Sequence, residues 1–405
     1  MKIFFSVGEP SGDLHGANLI RKLHERDPSM QFVGYGGPRM QQAGCELNQD
    51  LTQLAVMGFI RVFTNIRAFW RLLWQADRYF RDHRPDAVVM IDFPGFNWWI
   101  ARRARVHGIP VFYYGTPQMW AWAGWRVRKM RKLVDYVLCK LPFEVDWYES
   151  RGCRATYVGH PYFDELHERQ LDRDFLSELQ VDQRPLVTIL PGSRDQEVQS
   201  NLRWFLRAGQ LIQDQVPNVR FAIAAFRENQ AELARELVSN ESVDVEVYVN
   251  RTPELIHVAH SCLACSGSVS LELLFHEKPA VIHYHVGRIP FFLQGFFRKV
   301  RYITLVNLLA AEDRYCENGE LYNPRTDVEK VPYPEYLTCT DKTLAIADHV
   351  IQWLTDETTS DRVREQLRSL KADFAHQGAS DRAADFVLKK MGDRTKVQSH
   401  RSKAA

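Results

Sequence analysis

Two glycine turns constrain this chain more than any other feature: Leu190-Pro191-Gly192-Ser193-Arg194-Asp195-Gln196-Glu197, and Ser266-Gly267-Ser268-Val269-Ser270-Leu271-Glu272 about seventy residues later. Each follows a short apolar run, 186–190 and 262–265, and precedes a segment with helical spacing. Each therefore reads as the carboxyl end of a strand turning through glycine into a helix. Such a turn suits an anion, because the first N–H groups of a helix lack partners within it and carry the positive end of its dipole. Gly192 and Gly267 admit close approach to the main chain, Arg194 adds a planar cation suited to a diphosphate, and Glu272 is placed to accept from two ribose hydroxyls. Ser193-x-x-Gln196 also fits an ordinary capping box, and Gly-Ser turns occur in proteins that bind nothing, so the paired loops argue more strongly than either alone.

The same rhythm runs through the rest of the chain. Apolar runs at 1–7, 31–34, 87–91, 111–114, 136–139 and 156–158 alternate with helical segments. After a polar connection at 159–184 they resume at 186–190, 220–225, 243–249, 262–265 and 280–284. This predicts an α/β fold of two doubly wound parallel-sheet domains, 1–165 and 175–340, facing each other across a cleft, with ligands at the strands' carboxyl ends. The stretch 311–341, rich in Pro, Asn and Gly, predicts an irregular excursion. Residues 341–391 return to helices, expected to pack back on the amino-terminal domain or to be exchanged with a partner, and 392–405 reads as a disordered tail.

The first turn, Gly8-Glu9-Pro10-Ser11-Gly12-Asp13, has neither the Gly-Lys-Ser/Thr of a P-loop nor a G-x-G-x-x-G, so an ATPase or dehydrogenase is unsupported. With 52 Lys and Arg against 50 Asp and Glu, no global charge argues for nucleic acid. The seven cysteines are odd in number and mostly in apolar settings, which fits a reducing cytoplasm; Cys262-x-x-Cys265 reads as buried strand. No window approaches the length of a spanning helix. The segment 57–80 interleaves apolar and aromatic residues, among them Phe63, Phe69, Trp70, Leu73 and Trp74, with arginines. That composition fits either a core helix or one lying in a membrane interface.

The chain resembles the lipid-A-disaccharide synthase family of GT-B glycosyltransferases. The resemblance rests on Gly8-Glu9-Pro10-Ser11-Gly12-Asp13, Gly36-Gly37-Pro38-Arg39-Met40, Ile91-Asp92-Phe93-Pro94-Gly95-Phe96-Asn97, Met119-Trp120-Ala121-Trp122, Leu141-Pro142-Phe143-Glu144, Val158-Gly159-His160-Pro161, both glycine turns and Asn307-Leu308-Leu309-Ala310, in that order. It implies transfer of 2,3-diacylglucosamine from its UDP conjugate to 2,3-diacylglucosamine 1-phosphate, with no metal or other cofactor. It also implies a peripheral position on the inner face of the cytoplasmic membrane, and a homodimer with exchanged carboxy-terminal helices. Arg194 would meet the diphosphate, with Gly192 and Ser193 beside it. Ser266, Gly267, Ser268, Glu272 and Asn307 would belong to the nucleotide pocket, and Ser11, Gly12 and Asp13 to the acceptor side.

Asp92, at the end of an apolar strand, is the candidate base for the acceptor hydroxyl, and Glu9 the second candidate. The family's second acid in that loop is replaced by Gly95, its Ser-Gly-Thr by Ser266-Gly267-Ser268, and its Leu-Pro-Asn by Leu305-Val306-Asn307. Glu335 is the expected counterpart of its distal nucleotide-side glutamate. Rival readings are another UDP-sugar GT-B enzyme, including an epimerase, and a catalytically silent sugar-nucleotide-binding scaffold on the membrane.

Overall fold

A computed structural model describes residues 1–52, 66–317 and 319–403, with side chains as far as residue 393. The chain divides into two compact units, one of 1–164 with 377–405 and one of 165–376.

The first unit is built on a parallel seven-stranded sheet: β1 (Lys2–Val7), β2 (Gln31–Gly36), β3 (Cys45–Asp50), β4 (Ala87–Ile91), β5 (Val111–Tyr114), β6 (Tyr136–Cys139) and β7 (Ala155–Tyr157), in the order β3-β2-β1-β4-β5-β6-β7. Strands such as β4, Ala-Val-Val-Met-Ile, are buried along their whole length because helices cover both faces, which is why they read as unbroken apolar runs. The core under β1 and β4 is completed from the far end of the sequence: Ala383, Ala384, Val387 and Met391 of helix Ala379–Lys403 join Ile3, Phe5, Leu19 and Ile20. Asp164 fixes that return, accepting from the N–H groups of Gly378 (2.7 Å), Ala379 (3.1 Å) and Ser380 (2.9 Å).

The second unit carries a parallel six-stranded sheet: β8 (Leu186–Leu190), β9 (Arg220–Ala225), β10 (Val245–Val249), β11 (Ser261–Ala264), β12 (Ala280–His285) and β13 (Glu335–Thr338), in the order β10-β9-β8-β11-β12-β13. Each sheet has one point where the winding reverses, between β1 and β4 in the first and between β8 and β11 in the second, and crevices for ligands open there at the carboxyl ends.

Three expectations need correcting. Two strands are absent from that reading: β3, whose Cys-Glu-Leu-Asn-Gln-Asp pairs along one edge among the described residues, and β13, which ends the 311–341 excursion. Of the helices expected to pack back on the amino-terminal domain, Thr343–Thr355 and Glu357–Phe374 belong to the second unit, and only Ala379–Lys403 joins the first. That last helix continues as far as Lys403 where a disordered tail was expected.

Candidate functional site

The reversal point of the first sheet brings the two candidate carboxylates to one edge. Val7 pairs with Ile91, so the loops leaving β1 and β4 set out side by side, one carrying Glu9 and the other Asp92. Asp92 (φ 45°) and Phe93 (φ 44°) both stand in the left-handed region, at a cost of about 1–2 kcal/mol each for residues with a side chain. Three groups hold this turn. Asn97 Nδ2 donates to the carbonyls of Asp92 (2.8 Å), Ser6 (3.2 Å) and Ile91 (3.3 Å), Ser6 Oγ donates to Asn97 Oδ1 (2.6 Å), and Tyr113 Oη donates to the Asp92 carbonyl (2.7 Å). Phe93 folds over Gly8, where an added Cβ would lie 2.4 Å from its ring, so the first turn has no room for a side chain.

Lys140, at the end of β6, reaches the carboxylate with Nζ 3.6 Å from Asp92 Oδ1; the side chains keep 17% and 20% of their surface. Gly115 (φ 70°) lies beside this pair, where a Cβ would stand in ordinary contact, 3.5 Å from both Asp92 Oδ1 and Lys140 Nζ. Burial raises the Asp92 carboxyl above its ordinary range and the Lys140 ammonium pulls it back, burial being the larger effect. Glu144, buried, fixes the Lys140 loop by accepting from the N–H groups of Lys140 (2.9 Å) and Leu141 (3.1 Å) and from Trp120 Nε1 (2.9 Å). His15 and His160 meet edge to face with ring centres 6.4 Å apart. Burial first and Lys140 second hold both imidazoles neutral, His15 lowered to about 3 and His160 well below its ordinary value. The sequence assigns no role to either histidine or to Lys140, because a lone imidazole in a helix or a loop, or a lone cation at a strand end, carries no spacing signal.

Ser11 is exposed, Gly12 lies against Val7, and Asp13 is spent on structure. Its carboxylate accepts from the N–H groups of Gly37 (2.8 Å), Arg39 (3.0 Å) and Met40 (3.1 Å), the start of helix Pro38–Gln42.

At the reversal point of the second sheet stand both glycine turns, Leu190 paired with Ala264. The first is filled from within. Glu197 Oε2 accepts from the N–H groups of Ser193 (2.9 Å) and Arg194 (3.2 Å), and Gly192 (φ 125°) is glycine because a Cβ would lie 2.4 Å from that of Glu197. The capping residue is therefore Glu197, not Gln196, and the N–H groups expected to meet an anion are occupied by a carboxylate. Arg194 remains presented to solvent, its side chain 78% exposed and 3.2 Å from Glu197 Oε1.

The second turn is open: among the described residues nothing lies within 4 Å of a Cβ built on Gly267, and Ser268 is exposed. Its support runs inward. Ser266 Oγ donates to the Ile303 carbonyl (3.0 Å), and buried Glu335 accepts from Ile303 N–H (2.6 Å), Thr304 N–H (3.2 Å), Thr304 Oγ1 (2.8 Å) and Asn307 Nδ2 (2.9 Å). Asn307 also bonds both backbone groups of Tyr333, with Nδ2 to its carbonyl (2.8 Å) and Oδ1 from its N–H (3.1 Å). Asn307 is thus a wholly buried tie behind the loop rather than a lining residue. Burial pushes Glu335 up to about 7 against the four donors, which favour its ionised form. Glu272 is buried and accepts from Arg169 Nη1 at 2.5 Å.

The segment 57–80 divides. Residues 53–65, and with them Phe63, lie outside the described residues. In helix Ile66–His83, Leu73 is buried with Leu72, Ala76 and Phe80 and cannot reach a membrane, a correction to the expectation for that residue. Phe69 is half-buried between Phe93 and Phe96, whereas Trp70 and Trp74 are exposed beside exposed Arg67 and Arg71, and Trp70 meets exposed Trp99 at 5.7 Å. Among the described residues, no helix is long and apolar enough to cross a membrane.

The fold has solved counterparts at low identity. A UDP-GlcNAc 2-epimerase from Neisseria meningitidis, solved with UDP-GlcNAc, superposes with a TM-score of 0.62 at 12% identity, covering 96% of this chain and 100% of its own. MurG of Acinetobacter baumannii gives 0.55 at 14%, covering 96% and 99%. Sequence relatives run the full length. Lipid-A-disaccharide synthase of Coxiella burnetii (strain CbuK_Q154) is 32% identical over 390 residues, 95% of this chain and 97% of the relative. That of Trichlorobacter lovleyi is 33% identical over 390 residues, covering 96% and 97%. The family model described as lipid-A-disaccharide synthetase matches residues 3–343, and the chain belongs to that family of GT-B glycosyltransferases.

Proposed function

We propose that the chain moves 2,3-diacylglucosamine from its UDP conjugate onto the 6-hydroxyl of 2,3-diacylglucosamine 1-phosphate, giving the β-1,6-linked disaccharide 1-phosphate and UDP. The observation that supports it most is the Asp92 turn: a partly buried carboxylate at a reversal point, held in a strained conformation by Asn97 and Tyr113 and paired with Lys140. Strain of this kind persists where the surroundings impose it, and it clusters at functional sites. Asp92 takes the proton of the acceptor hydroxyl as that oxygen bonds to the anomeric carbon from the face opposite UDP; the bond to the diphosphate breaks and its electron pair leaves with UDP. Inversion at the anomeric carbon follows. Glu9 orients the acceptor. Arg194 offers the leaving diphosphate a cation, so the transfer proceeds without a metal.

The Trp70, Trp74 and Trp99 cluster with Arg67 and Arg71 supports peripheral attachment to the inner face of the cytoplasmic membrane, where acylated substrates reside. A homodimer exchanging helix Ala379–Lys403 would remake the contacts that helix now makes within its own chain; sedimentation of the purified protein measures the oligomer.

The test is turnover by purified protein with both lipid substrates and mass detection of the disaccharide. Asp92→Asn keeps the shape and loses the base, so kcat should fall by about 10² to 10⁴ with KM nearly constant. An Asp92→Asn enzyme with near-normal kcat, or a wild type that releases UDP only from unacylated UDP-glucosamine, refutes the proposal.

A further inference from the structure

Helix Arg288–Phe297 of the second unit is built inside out. Ile289, Phe292, Leu293, Phe296 and Phe297 fall at helical spacing on one face, and that face is exposed, from 51% for Leu293 to 75% for Ile289. The opposite face, Phe291, Gln294, Gly295 and Arg298, is the covered one, and it carries the polar groups. Soluble helices bury the apolar stripe and expose the polar one. The arrangement is fixed: buried Arg298 donates through Nη2 to the Gly319 carbonyl, and Gly319 lies so close that a Cβ there would meet the Gly295 carbonyl oxygen at 2.7 Å. The helix therefore cannot roll its apolar face inward without breaking that anchor.

The chain on either side of this helix carries charge of one sign. No Asp or Glu occurs between Glu277 and Glu312, and Arg288 and Lys299 bracket the helix, both exposed, while the acids Glu317 and Glu320 flank Gly319, which packs on the opposite, covered face. A second copy docking apolar face to apolar face would set Arg288 and Lys299 of the two copies against each other, with no acid on the docking stripe itself. An anionic bilayer offers what the face lacks, hydrocarbon for the five apolar side chains and phosphate for the flanking cations.

We propose that helix Arg288–Phe297 is a lipid-docking face of the second unit, inserting its exposed apolar stripe among the acyl chains of an anionic membrane while Arg288 and Lys299 contact headgroup phosphates. It deepens the membrane reading above and stands on residues separate from the Trp70 cluster.

The experiment uses the full-length protein with phosphatidylglycerol/phosphatidylethanolamine vesicles and with phosphatidylcholine vesicles. Hydrogen–deuterium exchange of the wild type should show 288–297 protected by the anionic vesicles. Phe292→Ser/Phe296→Ser should weaken vesicle partition by about tenfold or more. Arg288→Gln/Lys299→Gln should weaken it by about fivefold per charge, on the anionic vesicles only. All chains should melt together and turn over detergent-dispersed substrates equally. Vesicle binding unchanged in both variants overturns the inference. So does a lipid-free oligomer that dissociates in Phe292→Ser/Phe296→Ser, since the occupant would then be a second copy, or a melt lowered by several degrees, since the face would then be packing. Wild-type protein that makes the disaccharide but gains no protection at 288–297 defeats this inference alone; protection without turnover defeats the transfer reading alone.

Discussion

Replacing Lys140 by methionine removes the ion pair that it makes to the proposed base. Two unit charges 3.6 Å apart attract by about 1 kcal/mol in water and by about 5 kcal/mol at an effective dielectric of 20. With side chains 17% and 20% exposed the pair falls between these limits, at about 1–3 kcal/mol. Burial already raises the Asp92 carboxyl more than Lys140 lowers it, so removing the ammonium leaves burial unopposed and the carboxylate holds its proton more tightly. Only the ionised carboxylate can accept the acceptor's proton. On the acidic limb of the pH profile the rate follows the ionised fraction, so Lys140→Met should move that limb to higher pH. At a fixed pH on the limb, kcat/KM should fall by about 5- to 150-fold, while the alkaline plateau stays near that of the wild type. The assay is kcat/KM against pH for both chains in matched detergent. A limb that stays in place while the plateau drops and the acceptor KM rises would refute the reasoning, because Lys140 would then be binding the acceptor's phosphate rather than setting the base.

Other outcomes follow from the second unit. Arg194→Ala should lower kcat/KM for the donor by about 30- to 1,000-fold, the loss expected when a charged contact that the bound donor shields from water is deleted, without lowering the melting temperature of the protein, since the side chain is exposed in the free chain; unchanged donor kinetics would contradict the assignment. Turnover should persist in excess EDTA, and activity lost on chelation and restored by Mg²⁺ or Mn²⁺ would show that a metal, not Arg194, serves the diphosphate. Burial pushes Glu335 from an ordinary 4.5 up to about 7, so the folded chain holds that proton more tightly than the unfolded one. Its contribution is then full below about pH 4.5 and declines as pH rises toward 7, a slope that Glu335→Gln lacks; thermal melts across that window with equal slopes in both chains would contradict this.

The architecture was legible because parallel strands covered on both faces leave short unbroken apolar runs separated by glycine turns, as in Ala87–Ile91 and Leu186–Leu190. β3 escaped for the opposite reason: an edge strand of polar residues has no apolar period to detect. β13 escaped because its four residues follow Pro332 and Pro334, which signal irregular chain, while the strand is held by partners far away in sequence through Glu335. The positions of Glu9, Asp92 and both glycine turns at reversal points follow from strand order, which the alternation of elements anticipates without specifying.

What could not be read was which groups spend themselves on the loops. A glycine before a helix is compatible with a ligand close to the main chain and equally with a neighbouring side chain there. At Gly192 the neighbour is Glu197, so a diphosphate that used the Ser193 and Arg194 N–H groups would first have to displace a carboxylate carrying the same sign of charge. At Gly267 nothing intervenes, and the rigidity comes from behind, from Ser266 through Ile303 to Glu335 and Asn307. The two turns look alike in sequence and differ in what they offer: the first presents the exposed cation Arg194 above a satisfied backbone, the second an open backbone on a fixed base. In the proposed transfer the diphosphate gains negative charge as its bond to the sugar breaks, which the exposed cation of the first turn suits, while the open backbone of the second suits the unchanging nucleoside.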